Sequence, residues 1–118
     1  MIEEEHVTFE TAKLAKEKGF NEECLFYYEH LESGNILWKT VKSHKADTYF
    51  YLAPPQSILA RWFRDNYKII VSCAFNYKTK KFAYFIGNYD EPISKSSKEF
   101  DSYEEAMESG LQEAFNLI

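Results

Sequence analysis

The spacing of apolar residues changes several times along the chain, and each change marks an element. In VTFETAKLAKEKGF (residues 7–20), Phe9, Ala12, Leu14 and Ala15 recur at helical intervals. Thr8 is placed to serve as N-cap, and Gly19 supplies a left-handed stop after a lysine-rich last turn. CLFYYEH (24–30) drops the helical interval and is dense in aromatic residues, which favours a strand. After the turn material LESGN comes ILWKTVK (36–42), with Ile36, Trp38 and Thr40 on one side and Leu37, Lys39 and Val41 on the other. The two runs predict a hairpin with a loop of about five residues. SHKADT (43–48) reads as a polar loop, and TYFYLA as a short extended piece running into two prolines.

PPQSILARWFRDN (54–66) predicts the second helix, with proline in its first turn, where the missing N–H has no intrahelical partner. Ile58, Leu59, Trp62 and Phe63 fall within one arc of about 140° and form the expected buried face. Gln56, Ser57, Arg61 and Arg64 are expected on the outward side, with Asp65 beyond Arg61.

KIIVSCAFNY (68–77) and KKFAYFIGNY (80–89) predict a second hairpin with both faces rather apolar and a lysine-rich tip at Lys78, Lys80 and Lys81. NYDEPISKSSKEF (88–100) is polar and reads as a mobile loop. The last helix is the clearest element. Ser102 and Glu105 have the spacing of a capping box, and Tyr103, Ala106, Met107, Gly110, Leu111, Ala114 and Leu117 form one stripe. Gly110 within that stripe predicts a close approach of helix to sheet.

The order α-β-β-(β)-α-β-β-α predicts an α+β fold: an antiparallel sheet of two hairpins with helices packed on one face. With 118 residues the chain is expected to form a single globular domain over 1–118. Its 10 Phe, 9 Tyr and 2 Trp provide ample material for a core.

Charge alters the picture. Residues 1–35 carry nine acids and three bases, residues 36–86 nine bases and two acids, and residues 87–118 eight acids and two bases. A basic middle between acidic ends suggests either internal neutralisation or a basic contact surface, although the net charge of −5 opposes tight nucleic-acid binding by the whole chain. The opening MIEEEHVTFE lacks the apolar stretch of a signal peptide, and no run approaches a membrane span. A cytoplasmic protein with reduced Cys24 and Cys73 is therefore expected.

Enzyme signatures are absent: no Gly-rich phosphate loop, HExxH, CxxC or GxSxG occurs. His6, His30 and His44 are scattered, so neither a metal centre nor a cofactor is expected. His44 lies near Ser43 and Asp47, but three such residues within five loop positions make no relay. Cys73, in mid-strand, is expected to be an inert buried thiol. The acidic clusters at Glu3–Glu5 and Glu104–Glu105 are most simply solvated faces and helix-dipole partners.

Two constellations remain as candidate binding groups. Gln56, Ser57, Arg61 and Arg64, with Tyr51 leading into the prolines as a further candidate, offer a basic and amide-bearing patch, its guanidinium groups suited to bidentate contacts. Lys78, Lys80 and Lys81 beside Tyr77, with Lys39, Lys42 and Lys45, would make a basic surface with tyrosines for stacking if they converged. The ordinary reading of each is a solvated surface, with hairpin lysines blunting unwanted pairing.

YLAPPQSILARWFRDNYKIIVSC and the ending FDSYEEAMESGLQEAFNLI, with the VTFETAKLAKEKGF start, resemble a family of small proteins of Bacteroides-type gut bacteria and their tailed phages. Its members share a Y-L-A-P-x-Q-S-L-L-x-x-W-L-R core and a Y-E-E-A-L-x-x-G-L-x-x-A-L-x-L-I end. This chain departs with Pro55 where Thr is usual and Phe63 where Leu is usual. The resemblance implies an accessory role in mobile elements and carries no activity. The expectation is thus a non-enzymatic, phage-associated module that binds an unidentified protein partner through its aromatic and basic middle segment. The alternative is nucleic-acid binding through the basic segment 36–86, and homo-oligomerisation through sheet edges is a third reading.

Overall fold

The computed structural model describes residues 5–22, 24–31, 33–44, 50–91 and 95–118, with the side chains of 39–44 outside that description. Lys45, Asp47 and part of the polar loop expected over 43–48 therefore lie outside the described residues, as do Glu3 and Glu4. The contacts group into two compact units, residues 1–55 and 56–118.

In the first unit, α1 (Phe9–Glu17) precedes a sheet of β1 (Cys24–Leu31), β2 (Gly34–His44) and β3 (Phe50–Leu52), in the order β2-β1-β3 and antiparallel throughout. Thr8 holds the N-cap position in extended conformation, and Gly19 ends the helix at φ +89, a left-handed geometry that glycine adopts without strain. Thr11, Ala12 and Ala15 form the buried side of α1. The hairpin is tighter than expected. Pairing continues to Leu31↔Gly34, so only residues 32–33 separate the strands, and Gly34 takes φ +139.

The strand pairing fixes which residues share a face. Phe26, Tyr28 and His30 align with Leu37 and Tyr51, whereas Tyr27, Glu29 and Leu31 align with Ile36, Trp38, Phe50 and Leu52. α1 covers the first of these faces through Phe9, whose ring meets those of Tyr28, His30 and Tyr51 at 5.8, 5.3 and 5.1 Å. The two prolines lie ahead of the second helix and not within its first turn. Ala53 N donates to the Phe26 carbonyl, Val7 N to the Pro54 carbonyl, and Pro55 bridges His6, so the segment remains extended.

The second unit contains α2 (Gln56–Tyr67), β4 (Ile69–Asn76), β5 (Lys81–Asn88), β6 (Lys95–Ser96) and α3 (Tyr103–Phe115). Its sheet is antiparallel with order β4-β5-β6. The segment 88–100, expected as a mobile loop, supplies β6. Phe100 also bridges Phe82 through two backbone hydrogen bonds of 2.9 and 2.7 Å.

The α+β class and element order are as expected, with the two hairpins in separate three-stranded sheets, each gaining a third strand. Ala106, Met107, Gly110, Leu111 and Ala114 form the expected buried stripe of α3, with Phe115 in place of Leu117, while Tyr103 is exposed. Ser102 caps the helix by accepting from Glu105 N at 3.1 Å. Gly110 marks a close approach: a Cβ there would meet Val71 Cγ1 at 2.9 Å and Tyr84 Cβ at 3.0 Å. Among the described residues, no helix is long and apolar enough to cross a membrane.

Candidate functional site

The predicted binding residues end in different situations. Tyr51 is half-buried on β3; Lys16 Nζ sits 4.5 Å from its ring centre and donates to the Phe50 carbonyl at 3.1 Å. Its ring is engaged in holding α1 to the sheet.

Gln56 corrects the sequence reading. Expected on the outward side of α2, it is only 5% exposed, and its Nε2 donates to the Glu104 carbonyl and to Glu108 Oε1, both at 3.0 Å. The buried stripe is Gln56, Leu59, Trp62 and Phe63, and the expected Ile58 is exposed. At about 100° per residue, Gln56 lies only about 20° beyond Phe63 around the helix. The amide faces inward because α3 supplies acceptors for it there. Its role is to clamp the start of α2 to α3.

Arg61 and Arg64 do lie on the exposed side of α2. Arg61 Nε pairs with Asp65 Oδ2 at 3.3 Å, one turn on, an exposed pair that contributes little to stability. At the far end of β4 the lysine-rich turn behaves differently. Lys81 pairs with Asp101 at 3.2 Å, and Lys80 Nζ stands 5.9 Å from the Tyr77 ring centre. The length of β4, about 25 Å for eight residues, separates Arg64 from Lys78. The structure therefore does not bring the arginines and these lysines into one site. Lys39 and Lys42 have no described side chains, so their expected part in the basic surface lies outside the described residues.

At the tip itself a recess of about 690 Å³ is lined by Phe75, Tyr77, Lys78, Phe85 and Glu99, with Ala74, Asn76 and Ala83 beneath. Tyr77 is 80% exposed. Aromatic rings beside a lysine suit stacking, but the carboxylates of Glu99 and Asp101 lie at the same turn, bonded to Thr79 and Lys81. The local field is close to balanced, unlike the uninterrupted basic groove that phosphate binding uses.

The first sheet presents a different surface. On the face away from Phe9, Leu52 is buried, yet toward the β2 edge Leu31, Ile36 and Trp38 are open, Trp38 by 45%. Every described side chain of β2, from residue 34 to 38, is exposed. Tyr27, cross-strand from Trp38, meets the Phe50 ring at 4.9 Å and extends the apolar surface inward. Contiguous exposed apolar groups of this kind mark interaction surfaces. The sequence reading placed the contacts in the aromatic and basic middle segment without singling out these residues. The available signal was a hairpin apolar on both faces, preceded by one short helix.

Both cysteines are free thiols, with pKa values raised to about 11. Burial is the main cause in each case, followed by the carboxylate of Glu22 near Cys24 and of Glu104 near Cys73. Cys24 is buried as expected, and Cys73 is half-buried, with Sγ 3.7 Å from Met107 Sδ. At neutral pH both are protonated and weakly nucleophilic. Among the described residues, no group of three His, Cys, Asp or Glu stands close enough to hold a metal ion. Comparison of the chain with protein-family models, with curated proteins and with solved structures gave no match.

Proposed function

We propose that the chain is a non-catalytic protein-binding module whose contact surface is the open face of the first sheet, centred on Trp38 and Ile36. The observation that carries this reading is the exposure of Leu31, Ile36 and Trp38 side by side on one face of a paired hairpin. Aromatic and aliphatic side chains of this kind anchor protein interfaces, and tryptophan is among the residues most often found to dominate their energetics. The free thiols of Cys24 and Cys73 are in keeping with a module that works in the cytoplasm, and the sequence resemblance supports a phage-associated role. The protein itself, immobilised, would be exposed to extract from its own host at about 0.5 M salt, a concentration that screens surface charge contacts. Partners retained by the wild type and by Arg61→Ala/Arg64→Ala, but lost with Trp38→Glu, are the expected result. A partner set unchanged by Trp38→Glu would refute the assignment of this face.

Nucleic-acid binding is the second reading, favoured by Tyr77, Lys78 and Lys80 at the tip of the second hairpin. Anisotropy of labelled single- and double-stranded oligonucleotides at about 50 and 200 mM salt separates the two. Saturable binding that collapses at the higher salt and is lost with Lys78→Ala/Lys80→Ala would favour nucleic acid. No binding at the lower salt removes that reading.

A further inference from the structure

The second unit contains a polar recess, of about 460 Å³, bounded by α3, β5 and the segment 96–100. Its lining is unlike that of the tip recess: the hydroxyl-bearing Tyr84, Ser96 and Ser109, the amide-bearing Gln112 and Asn116, Glu113 and Phe100.

Some of its polar groups are already engaged. Ser97 Oγ accepts from Tyr84 N at 2.9 Å and donates to the Lys98 carbonyl at 2.5 Å. Glu113 receives Lys95 Nζ at 2.7 Å on one oxygen and Asn116 Nδ2 at 3.3 Å on the other. These bonds hold the carboxylate ionised; hydrogen bonding from Lys95 is the largest cause of its lowered pKa, ahead of that from Asn116. The Tyr84 phenol is kept neutral, its pKa raised first by burial and then by Glu113.

Other groups are unspent. Among the described residues, the hydroxyls of Tyr84, Ser96 and Ser109 and the side-chain carbonyl of Asn116 take no protein partner. Three groups able to donate and accept, together with one acceptor, thus belong to residues that line one space.

The charges narrow what can enter. An anion would meet the Glu113 carboxylate, and a cation would compete with Lys95, already in place at 2.7 Å, and with Lys98 on the wall. A neutral molecule avoids both conflicts. It must offer several hydroxyls, since each unspent group needs a partner to replace lost water. Phe100 and Tyr84 have near-parallel rings, 28° apart with centres at 6.5 Å, and Phe100 is half-buried. They provide an apolar wall for the carbon-bound hydrogens of a ring-shaped ligand.

We infer that this recess is a binding site for a neutral polyhydroxylated small molecule of the sugar class, held by Tyr84, Ser96, Ser109 and Asn116 against Phe100. The inference is independent of the protein-binding reading, which concerns the other unit.

The test is a titration of the ¹⁵N-labelled protein with methyl glucoside, methyl galactoside and N-acetylglucosamine, each to about 50 mM, with sodium phosphate as an anionic comparison. Affinity in the millimolar range is expected of so small an open site. At least one sugar should give saturable shifts confined to residues 83–85, 96–100 and 109–116. In Ser109→Ala and in Asn116→Ala that binding should weaken by about tenfold or more. Linear shifts with all three sugars would overturn the proposal. So would saturable shifts unchanged in both variants, or tighter binding of phosphate than of any sugar.

Discussion

The two hairpins are alike in sequence and unlike in cover. Each pairs two apolar, aromatic-rich runs, and each follows a helix. In the second, Ile69, Val71 and Ile86 lie beneath α3, which comes close enough at Gly110 to exclude a methyl group. In the first, α1 has nine residues, buries Thr11, Ala12 and Ala15, and meets the sheet through the Phe9 ring and through Lys16 over Tyr51. On that face Leu37 is exposed, and on the opposite face, away from Phe9, Ile36 and Trp38 are exposed as well. An aromatic run in a sequence promises burial only if some other element has the length and the small residues to lie down upon it. Where it does not, the same run stays exposed.

The largest expected effect contrasts the cores of these regions. Leu111→Ala, at a fully buried site under the second sheet, should cost about 2–5 kcal/mol, whereas Trp38→Ala at the open face should cost less than about 1 kcal/mol. Urea unfolding of both variants measures the gap, and equal losses would mean that the first hairpin is as covered as the second. Gly110→Ala comes next. Better helix propensity contributes about 1 kcal/mol in its favour, but the contacts at 2.9 and 3.0 Å force Val71 or Tyr84 to move. A net loss of about 1–2 kcal/mol follows from overpacking, and a gain in stability would show that the approach is looser than described.

Gln56→Ala should cost about 1–3 kcal/mol, because it removes two hydrogen bonds and leaves Glu104 O and Glu108 without that donor. Arg61→Ala on the same helix, at an exposed ion pair, should lie within about 0.5 kcal/mol of wild type. A Gln56 variant no less stable than the Arg61 variant would return Gln56 to the surface.

The smallest effect concerns the Lys95–Glu113 pair. Hydrogen bonding lowers the Glu113 pKa from the ordinary 4.5 and raises that of Lys95 from 10.5. The Glu113 contribution is therefore present above pH 4.5 and lost as pH falls through its lowered value. That of Lys95 is present below pH 10.5 and lost as pH rises through its raised value. Lys95→Met should move the Glu113 titration upward, read by NMR of its side-chain carboxyl; an unmoved titration would contradict the hydrogen bond.

Most of the fold was legible because it follows from local rules. Gly19 as a helix stop, Ser102 as a cap and Gly110 as a point of close packing each follow from one residue's own chemistry. What escaped the sequence was set by partners distant in the chain. Gln56 reads as an outward polar group until α3 supplies its acceptors, and Pro54 and Pro55 read as a helix start until Val7 and His6 hold them extended. The candidate surface was hidden for a related reason. Charge is visible in a sequence, whereas which face the described residues leave exposed is a property of the assembled unit.

The most direct test uses the two tryptophans as reporters of the two regions. Iodide or acrylamide quenching would be compared in Trp62→Phe, which reports Trp38, and in Trp38→Phe, which reports Trp62. Trp38 is 45% exposed and Trp62 9%, so quenching should be several-fold steeper for Trp38. Equal and shallow quenching of the two would mean that the first sheet's face is closed, and the proposed contact surface would not exist.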